Sequence, residues 1–367
     1  MSDPAVQMFA SSEIDRAGER WRALEEALSD APLARGWDWT AAWLRAYGDV
    51  VPHRFAFVER AEQTVGAALL TSSRASGRAE LGMRRLHVGT AGEPDGEGIF
   101  VEYNGLLAAP ADRIDVARSL IEALTAEPGW DELCLDGFEV ADAEAFAAVA
   151  PRFEVGTVVS PATDLAAIRA AGGDVLGVLG KGPRSRIRRS LRGMGAVEGV
   201  WAESVDAALS SFDELVRLHQ KRWLAAGEPG AFASSRAVAF HRELIERLLP
   251  TGRAMLYRVR ANGETVACLY GMVDRNRLLF YQSGVLEQND QKLKPGLVAH
   301  ALCMQACLER GLDGYDFLAG DARYKRELAT GEARIAWATL SRRGPRPLFS
   351  RVARRMARRP RPLTPFH

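Results

Sequence analysis

The chain has 367 residues, 47% of them hydrophobic and 26% charged. That length favours about two domains, and that balance excludes a disordered or fibrous protein. A formal net charge of +1 argues against a sequence-specific nucleic-acid partner, but the charge is unevenly spread. Ser341 to His367 carries nine arginines and no acid, so the rest of the chain is acidic. The four cysteines, Cys134, Cys268, Cys303 and Cys307, sit in apolar runs without paired metal-ligand spacing, which points to reduced thiols. Met1 to Arg16 lacks the apolar core of a signal peptide, and no run reaches the ~18 apolar residues of a membrane span. A cytoplasmic location is expected.

In chain order, Phe55 to Val58 and Val65 to Thr71 are predicted strands flanking a polar turn. Gly98 to Leu107 is expected to form a third after the Gly/Pro-rich loop Gly89 to Gly98. A helical pattern covers Asp112 to Ala126 and closes at Pro128-Gly129, before a short strand at Glu132 to Gly137. Gly172 to Gly199 carries Lys181, Arg184, Arg186, Arg188, Arg189 and Arg192 with no acid among them, and is taken as a linker or crossover helix. The order of elements then repeats. Ala254 to Arg260 and Thr265 to Val273 flank Asn262-Gly263, a pair suited to the positive φ angles of a tight hairpin. Arg277 to Ser283 makes the next strand, Leu297 to Arg310 a helix ending at Gly311, and Tyr315 to Leu318 the returning strand. Each half is a meander, a helix and a returning strand, so a doubly wound dinucleotide fold is disfavoured. The fold class is α+β, with two domains, each a mixed, mostly antiparallel sheet flanked by helices. The expected boundaries are 1–170, a basic segment 171–200, a second domain 201–340 and a basic tail 341–367.

The chemistry is concentrated between Leu278 and Lys325. A helix N-terminus offers unpaired N–H groups and partial positive charge to a phosphate. Pro295 suits the first helical turn, Gly296 lets a bulky anion approach the backbone, and Lys292 and Lys294 add charge. The plainer alternative is a Pro-Gly pair that only opens a buried helix, since Leu297, Ala301, Met304 and Leu308 recur at helical spacing. The flanking strands end in Tyr281, Gln282 and Ser283 on one side and in Asp316, Gly320 and Asp321 on the other. Amide formation needs a base for the attacking ammonium and a donor for the leaving thiolate. Asp321 is the candidate base, Tyr324 the candidate donor, and Lys325 a fixed cation for an oxyanion or a substrate phosphate. The alternative is an ordinary loop whose Asp caps a turn and whose Lys is solvated.

Tyr281-Gln282-Ser283-Gly284, Lys294-Pro295-Gly296 and Asp316-Phe317-Leu318-x-Gly320-Asp321-x-x-Tyr324-Lys325 resemble the GNAT superfamily of acyltransferases. They are similar, more narrowly, to the CelD/BcsL-type cellulose-biosynthesis group related to the FemAB peptidyltransferases. Leu218-His219-Gln220-x-Arg222-Trp223, Gly230-Ala231-Phe232, Phe240-His241, the basic run Arg184 to Arg192 and the helix Trp37-x-Trp39-x-x-x-Trp43-x-x-x-Tyr47 also fit that pattern. The resemblance spans roughly Trp21 to Leu340. It implies two tandem GNAT-like domains, with acetyl-CoA or another acyl-CoA bound in the second and no metal. It also implies transfer to an amine of a sugar, a cell-envelope precursor or a small metabolite, with Arg222, Trp223 and Asp316 touching the acceptor. One departure stands out: the usual pyrophosphate signature, an Arg or Gln followed by spaced glycines, is replaced by Pro295-Gly296 alone. FemAB-like relatives use aminoacyl-tRNA, and their lysine after an aromatic residue resembles Lys325. Aminoacyl transfer is therefore the alternative activity, and a non-catalytic scaffold in polysaccharide export the alternative from another class.

His300, Cys303 and Cys307 share one side of a helix, but so apolar a helix buries such residues as core rather than as metal ligands. His219 and His241, on predicted helices near Arg222 and Trp223, are expected to take packing or polar surface roles rather than catalytic ones. Leu348, Phe349, Val352 and Met356 line one face amid arginines, which suits a peripheral contact with an anionic membrane or a protein, or else a solvated tail.

Overall fold

Asn262 and Gly263 adopt φ of 51° and 85° and close the hairpin expected between Ala254 to Arg260 and Thr265 to Val273. The computed structural model of the protein describes residues 4–28, 30–75, 82–287, 290, 292–344 and 346. Among these, the first part of the chain forms β1 (Ala5–Ala10), α1 (Ile14–Ala27), α2 (Trp37–Tyr47), β2 (His53–Arg60), β3 (Gln63–Arg74), β4 (Arg84–Val88), β5 (Leu107–Ala108), α3 (Arg113–Ala126), β6 (Glu132–Glu139) and α4 (Val140–Val149). It continues through β7 (Glu154–Asp164), α5 (Leu165–Ala170), α6 (Val175–Val178), α7 (Lys181–Met194), β8 (Val197–Trp201), α8 (Val205–Ala225) and α9 (Ser235–Leu248). The last elements are β9 (Ala254–Ala261), β10 (Glu264–Asp274), β11 (Arg277–Val285), α10 (Pro295–Glu309), β12 (Gly314–Asp316), α11 (Arg323–Leu328) and β13 (Gly331–Ser341).

The chain divides into two units. Among the described residues, the first takes those up to 158 together with those from 334 onward, and the second takes those between 159 and 333. In the first unit the strands run β1-β2-β3-β4-β6-β13; β1 to β4 pair antiparallel, β4 and β6 pair parallel, and β13 returns antiparallel to β6. In the second they run β8-β9-β10-β11-β12-β7, with the same alternation: antiparallel pairs, a parallel pair joined through α10, and an antiparallel end strand. The tandem reading therefore holds, with one difference from the expected boundaries. The end strands are exchanged in the chain: β7, next after α4, enters the second unit, while β13, the last strand, completes the first. Ala336, Ala338 and Leu340 are accordingly buried with Leu133, Leu135 and Phe138 in the first unit's core. The segment 171–200 is no free linker either, because Val175, Leu179, Ile187 and Met194 belong to the second unit's core.

The strand expected at Gly98 to Leu107 shrinks to the two residues of β5. Tyr103 takes a φ of 59°, and the buried Arg35 guanidinium donates to the carbonyls of Tyr103 and Leu106 at 3.3 and 3.2 Å. Backbone acceptors met by side chains leave no ladder to form. The row Trp39, Trp43 and Tyr47 on α2 holds the neighbouring glycine-rich loop by donating to Thr90 Oγ1, Glu93 Oε1 and the Glu97 carbonyl at 2.8, 2.6 and 2.7 Å. The amphipathic run Leu348 to Met356 lies outside the described residues.

Candidate active site

In the second unit β11 and β12 pair over only three residues each, Arg277 to Leu279 with Gly314 to Asp316, and then separate. The cause is local. The buried Asp316 carboxylate accepts from Ser160 Oγ at 2.6 Å and from the Leu318 N–H at 2.8 Å, while Leu318 turns to a φ of 59°. Lys325, with no exposed surface, donates from Nζ to the carbonyls of Leu318 and Ala319 at 3.1 and 2.9 Å. Phe317 and Gly320 hydrogen-bond instead to β7, through the carbonyls of Pro161 and Val159. A residue in a left-handed conformation and a buried cation on two carbonyls thus divert the backbone from β11. The far part of β11, Phe280 to Val285, keeps its ladder to β10 and borders a slot on its other side.

That slot is a cavity of about 570 Å³. Its walls are the end of β11, the opening of α10 at Lys294, Pro295 and Gly296, the α8 face of His219, Arg222 and Trp223, and Tyr324 with His300. Burial raises the Tyr324 phenol well above its ordinary range, against a smaller opposing effect of the Arg222 charge. The phenol therefore keeps its proton at neutral pH. His300 stacks on Tyr324 at 5.2 Å and hydrogen-bonds the Tyr315 hydroxyl through Nδ1 at 2.9 Å. Burial, helped by the Lys325 charge, lowers its pKa to about 3, so it lines the cavity as a neutral ring.

Sequence reasoning missed His219. The ring is 3% exposed and Nδ1 lies 3.0 Å from Gln220 Oε1, an oxygen that also accepts from the Phe232 N–H. Because an amide oxygen can only accept, Nδ1 carries the hydrogen and the lone pair falls on Nε2. That Nε2 is buried and has no hydrogen-bond partner among the described residues, on a residue that forms part of the cavity wall. Burial lowers the His219 pKa, opposed by the Gln220 hydrogen bond and aided by the Arg222 charge, so the lone pair is available at neutral pH. The loop after α8 is shaped around this ring. Gly230, at φ 74°, has no room for a Cβ, which would fall 2.5 Å from Gln220 Oε1 and 3.0 Å from Trp223 Cβ. The signal in the sequence was His219-Gln220 followed by Gly230-Ala231-Phe232, a spacing whose meaning needs the loop's path.

Of the residues predicted from sequence, Tyr281, Gln282, Ser283, Lys294, Pro295, Gly296, Arg222, Trp223 and Tyr324 converge on the cavity. Four do not. Lys292 is exposed and outside the wall, and Asp321 is an exposed carboxylate ion-paired to Arg326. Asp316 and Lys325 are buried behind the wall, engaged with Ser160, Leu318 and Ala319, where they hold the slot open. The base role given to Asp321, the oxyanion role given to Lys325 and the acceptor contact given to Asp316 do not suit these positions. The Cys303 and Cys307 thiols are core, as read from sequence.

Residues 182–326, which lie within the second unit, match the family described as Acetyltransferase (GNAT) domain. Among solved structures, the chain is similar to FemX, with 13% identity and a TM-score of 0.58 over 88% of this chain and 95% of that one. It is also similar to the C-terminal domain of a putative lysylphosphatidylglycerol synthetase from Agrobacterium fabrum (13% identity, TM-score 0.54, 93% and 96% covered). L-PGS from Bacillus licheniformis gives 12% identity and a TM-score of 0.52 over 93% and 97%. These likenesses are of fold. No curated protein matches the sequence. Among the described residues no helix is long and apolar enough to cross a membrane.

Proposed function

We propose that the protein is an N-acyltransferase that moves an acyl group from acyl-CoA, acetyl-CoA being the simplest donor, to a primary amine on a sugar, a cell-envelope precursor or a small metabolite. The observation that carries this reading is a cavity whose wall includes both His219, with its Nε2 buried and without a partner among the described residues, and Tyr324 with its protonated phenol. The residues fit the donor. At the mouth of α10, a Cβ on Gly296 would approach only the Val285 side chain, at 3.6 Å, so the backbone there is open to a close phosphate. When bound, acyl-CoA supplies the thioester carbonyl that the amine attacks. Lys294 and the first N–H groups of α10 would hold its pyrophosphate. His219 Nε2 takes the proton that the attacking ammonium must lose, and the Tyr324 hydroxyl gives one to the departing thiolate. Arg222 and Trp223, one helical turn on from His219, orient the acceptor.

Aminoacyl transfer remains the second reading, favoured by the likeness to FemX and to the lysylphosphatidylglycerol synthetases and by the exposed arginines of α7. Titration of the full chain with coenzyme A and, separately, with charged tRNA decides between them. With coenzyme A in large excess over its dissociation constant the melting temperature rises by several degrees. A chain unmoved by millimolar coenzyme A but stabilised by charged tRNA transfers aminoacyl groups, and one unmoved by both sinks the donor assignment altogether. His219→Gln lowers turnover by ~10²- to 10⁴-fold with little change in coenzyme A binding.

A further inference from the structure

The first unit holds a second constellation, which the family match does not reach. Residues opposite one another in a ladder share a face; His87 on β4 stands opposite Thr71 on β3 and Cys134 on β6. Two positions along each neighbouring strand, on that same face, lie Ser73 and Asp136. Ser73 Oγ is 2.9 Å from His87 Nε2, and His87 Nδ1 is 2.7 Å from Asp136 Oδ2. A carboxylate accepts, so Nδ1 carries the hydrogen and Nε2 is left to accept from the serine hydroxyl. The ring is 7% exposed. Gly92, at φ 87°, lets its loop lie against the pair, since a Cβ there would come within 3.1 Å of the imidazole and 3.4 Å of Ser73 Cβ.

These groups are not sealed in the core. Ser73 and His87 line a cavity of about 820 Å³ whose wall includes Arg85, Glu93, Pro94 and Trp130. Arg85 stands opposite Ser73 in the ladder, its guanidinium ion-paired to the buried Glu132 carboxylate at 3.2 Å. Leu86, Val51 and Trp130 give the cavity apolar wall for an acyl chain.

We propose that Ser73, His87 and Asp136 form a nucleophilic site that hydrolyses small acyl esters, separate from the transferase cavity. Ser73 Oγ bonds to the ester carbonyl carbon while its proton passes to His87 Nε2. The ester C–O bond then breaks and the leaving alcohol takes that proton. Water, deprotonated by the same nitrogen, attacks the acyl-serine to release the carboxylic acid and restore the hydroxyl. Asp136 holds the imidazole in the required tautomer.

The test uses the full chain and a fluorophosphonate probe, which loses fluoride as serine Oγ bonds to phosphorus. Peptide mass spectrometry is expected to find the adduct on Ser73, with hydrolysis of p-nitrophenyl butyrate lost in step with labelling. Ser73→Ala abolishes both, and His87→Gln slows both by at least ~100-fold. If His87→Gln melts below its parent, Asp136→Asn takes its place, with a loss of at least ~10-fold expected. Absence of a Ser73 adduct in the parent chain overturns the proposal, as does labelling at an unchanged rate in a folded His87→Gln or Asp136→Asn chain.

Discussion

Glu93, half-buried in the wall of the first unit's cavity, shows how one carboxyl can set a pH dependence. Its side chain accepts from Trp43 Nε1 at 2.6 Å, and burial, partly offset by that bond and by the nearby His87, lifts its pKa to about 7. The ordinary value is near 4.5, so between about pH 4.5 and 7 the folded chain holds a proton that the unfolded chain has released. Bound protons in excess in the folded state mean that stability falls as pH rises across that window, by up to about 3 kcal/mol for a shift of this size. Glu93→Gln keeps an acceptor for Trp43 and cannot ionise. Urea unfolding at pH 5 and pH 7.5 should therefore show the variant gaining on the parent as pH rises, and a gap that stays constant would refute the assignment. None of this was legible in the sequence, where Glu93 is one acid in a Gly/Pro-rich loop. What buries it is the α2 row Trp39, Trp43 and Tyr47, visible as a helical face but not as a clamp on a distant loop.

At the scale of the element, the opening of α10 was the most legible part of the site. Lys294-Pro295-Gly296 reads as a helix start, and the helix begins at Pro295. The slot beside it was legible only in outline: the strands on either side were named, but what parts them was not. Asp316 and Lys325 were recognised as special and given chemical tasks, because a sequence shows that an acid and a lysine recur near a strand end and not that both are buried behind it. The same uncertainty of direction hid His219, whose orphan nitrogen depends on which way Gln220 and the following loop turn. Gly296 separates a packing role from a binding one. Alanine fits the space beside Val285 and is the better helix former by ~1 kcal/mol, so Gly296→Ala should leave the melting temperature unchanged or slightly higher. It should weaken coenzyme A at least ~10-fold in a calorimetric titration, because a methyl group then stands where the phosphate meets the backbone. Unchanged affinity would mean that α10 opens a core helix and nothing more.

At the scale of the molecule, the doubled order of meander, helix and returning strand was readable because each half keeps its hairpin turns and its central helix. The exchange of end strands was not, since β7 and β13 are both ordinary alternating strands and nothing in their composition says which sheet each completes. The consequence for autonomy is direct. Residues 1–170, the first domain as sequence order would cut it, carry β7 but lack β13, which pairs with β6 over Ile335 to Ser341. Such a fragment leaves the β6 edge open and uncovers Leu133, Leu135 and Phe138, which the full chain buries completely. Loss of three packed side chains, Ala336, Ala338 and Leu340, and of a ladder exceeds what a domain of marginal stability tolerates. The fragment should therefore expose hydrophobic surface, aggregate and lack a cooperative melt. Joining residues 334–344 to residue 153 through a short Gly/Ser linker, with β7 removed, should restore a cooperative transition; a fragment 1–170 that melts cooperatively by itself would show that β13 is dispensable to the first unit's core.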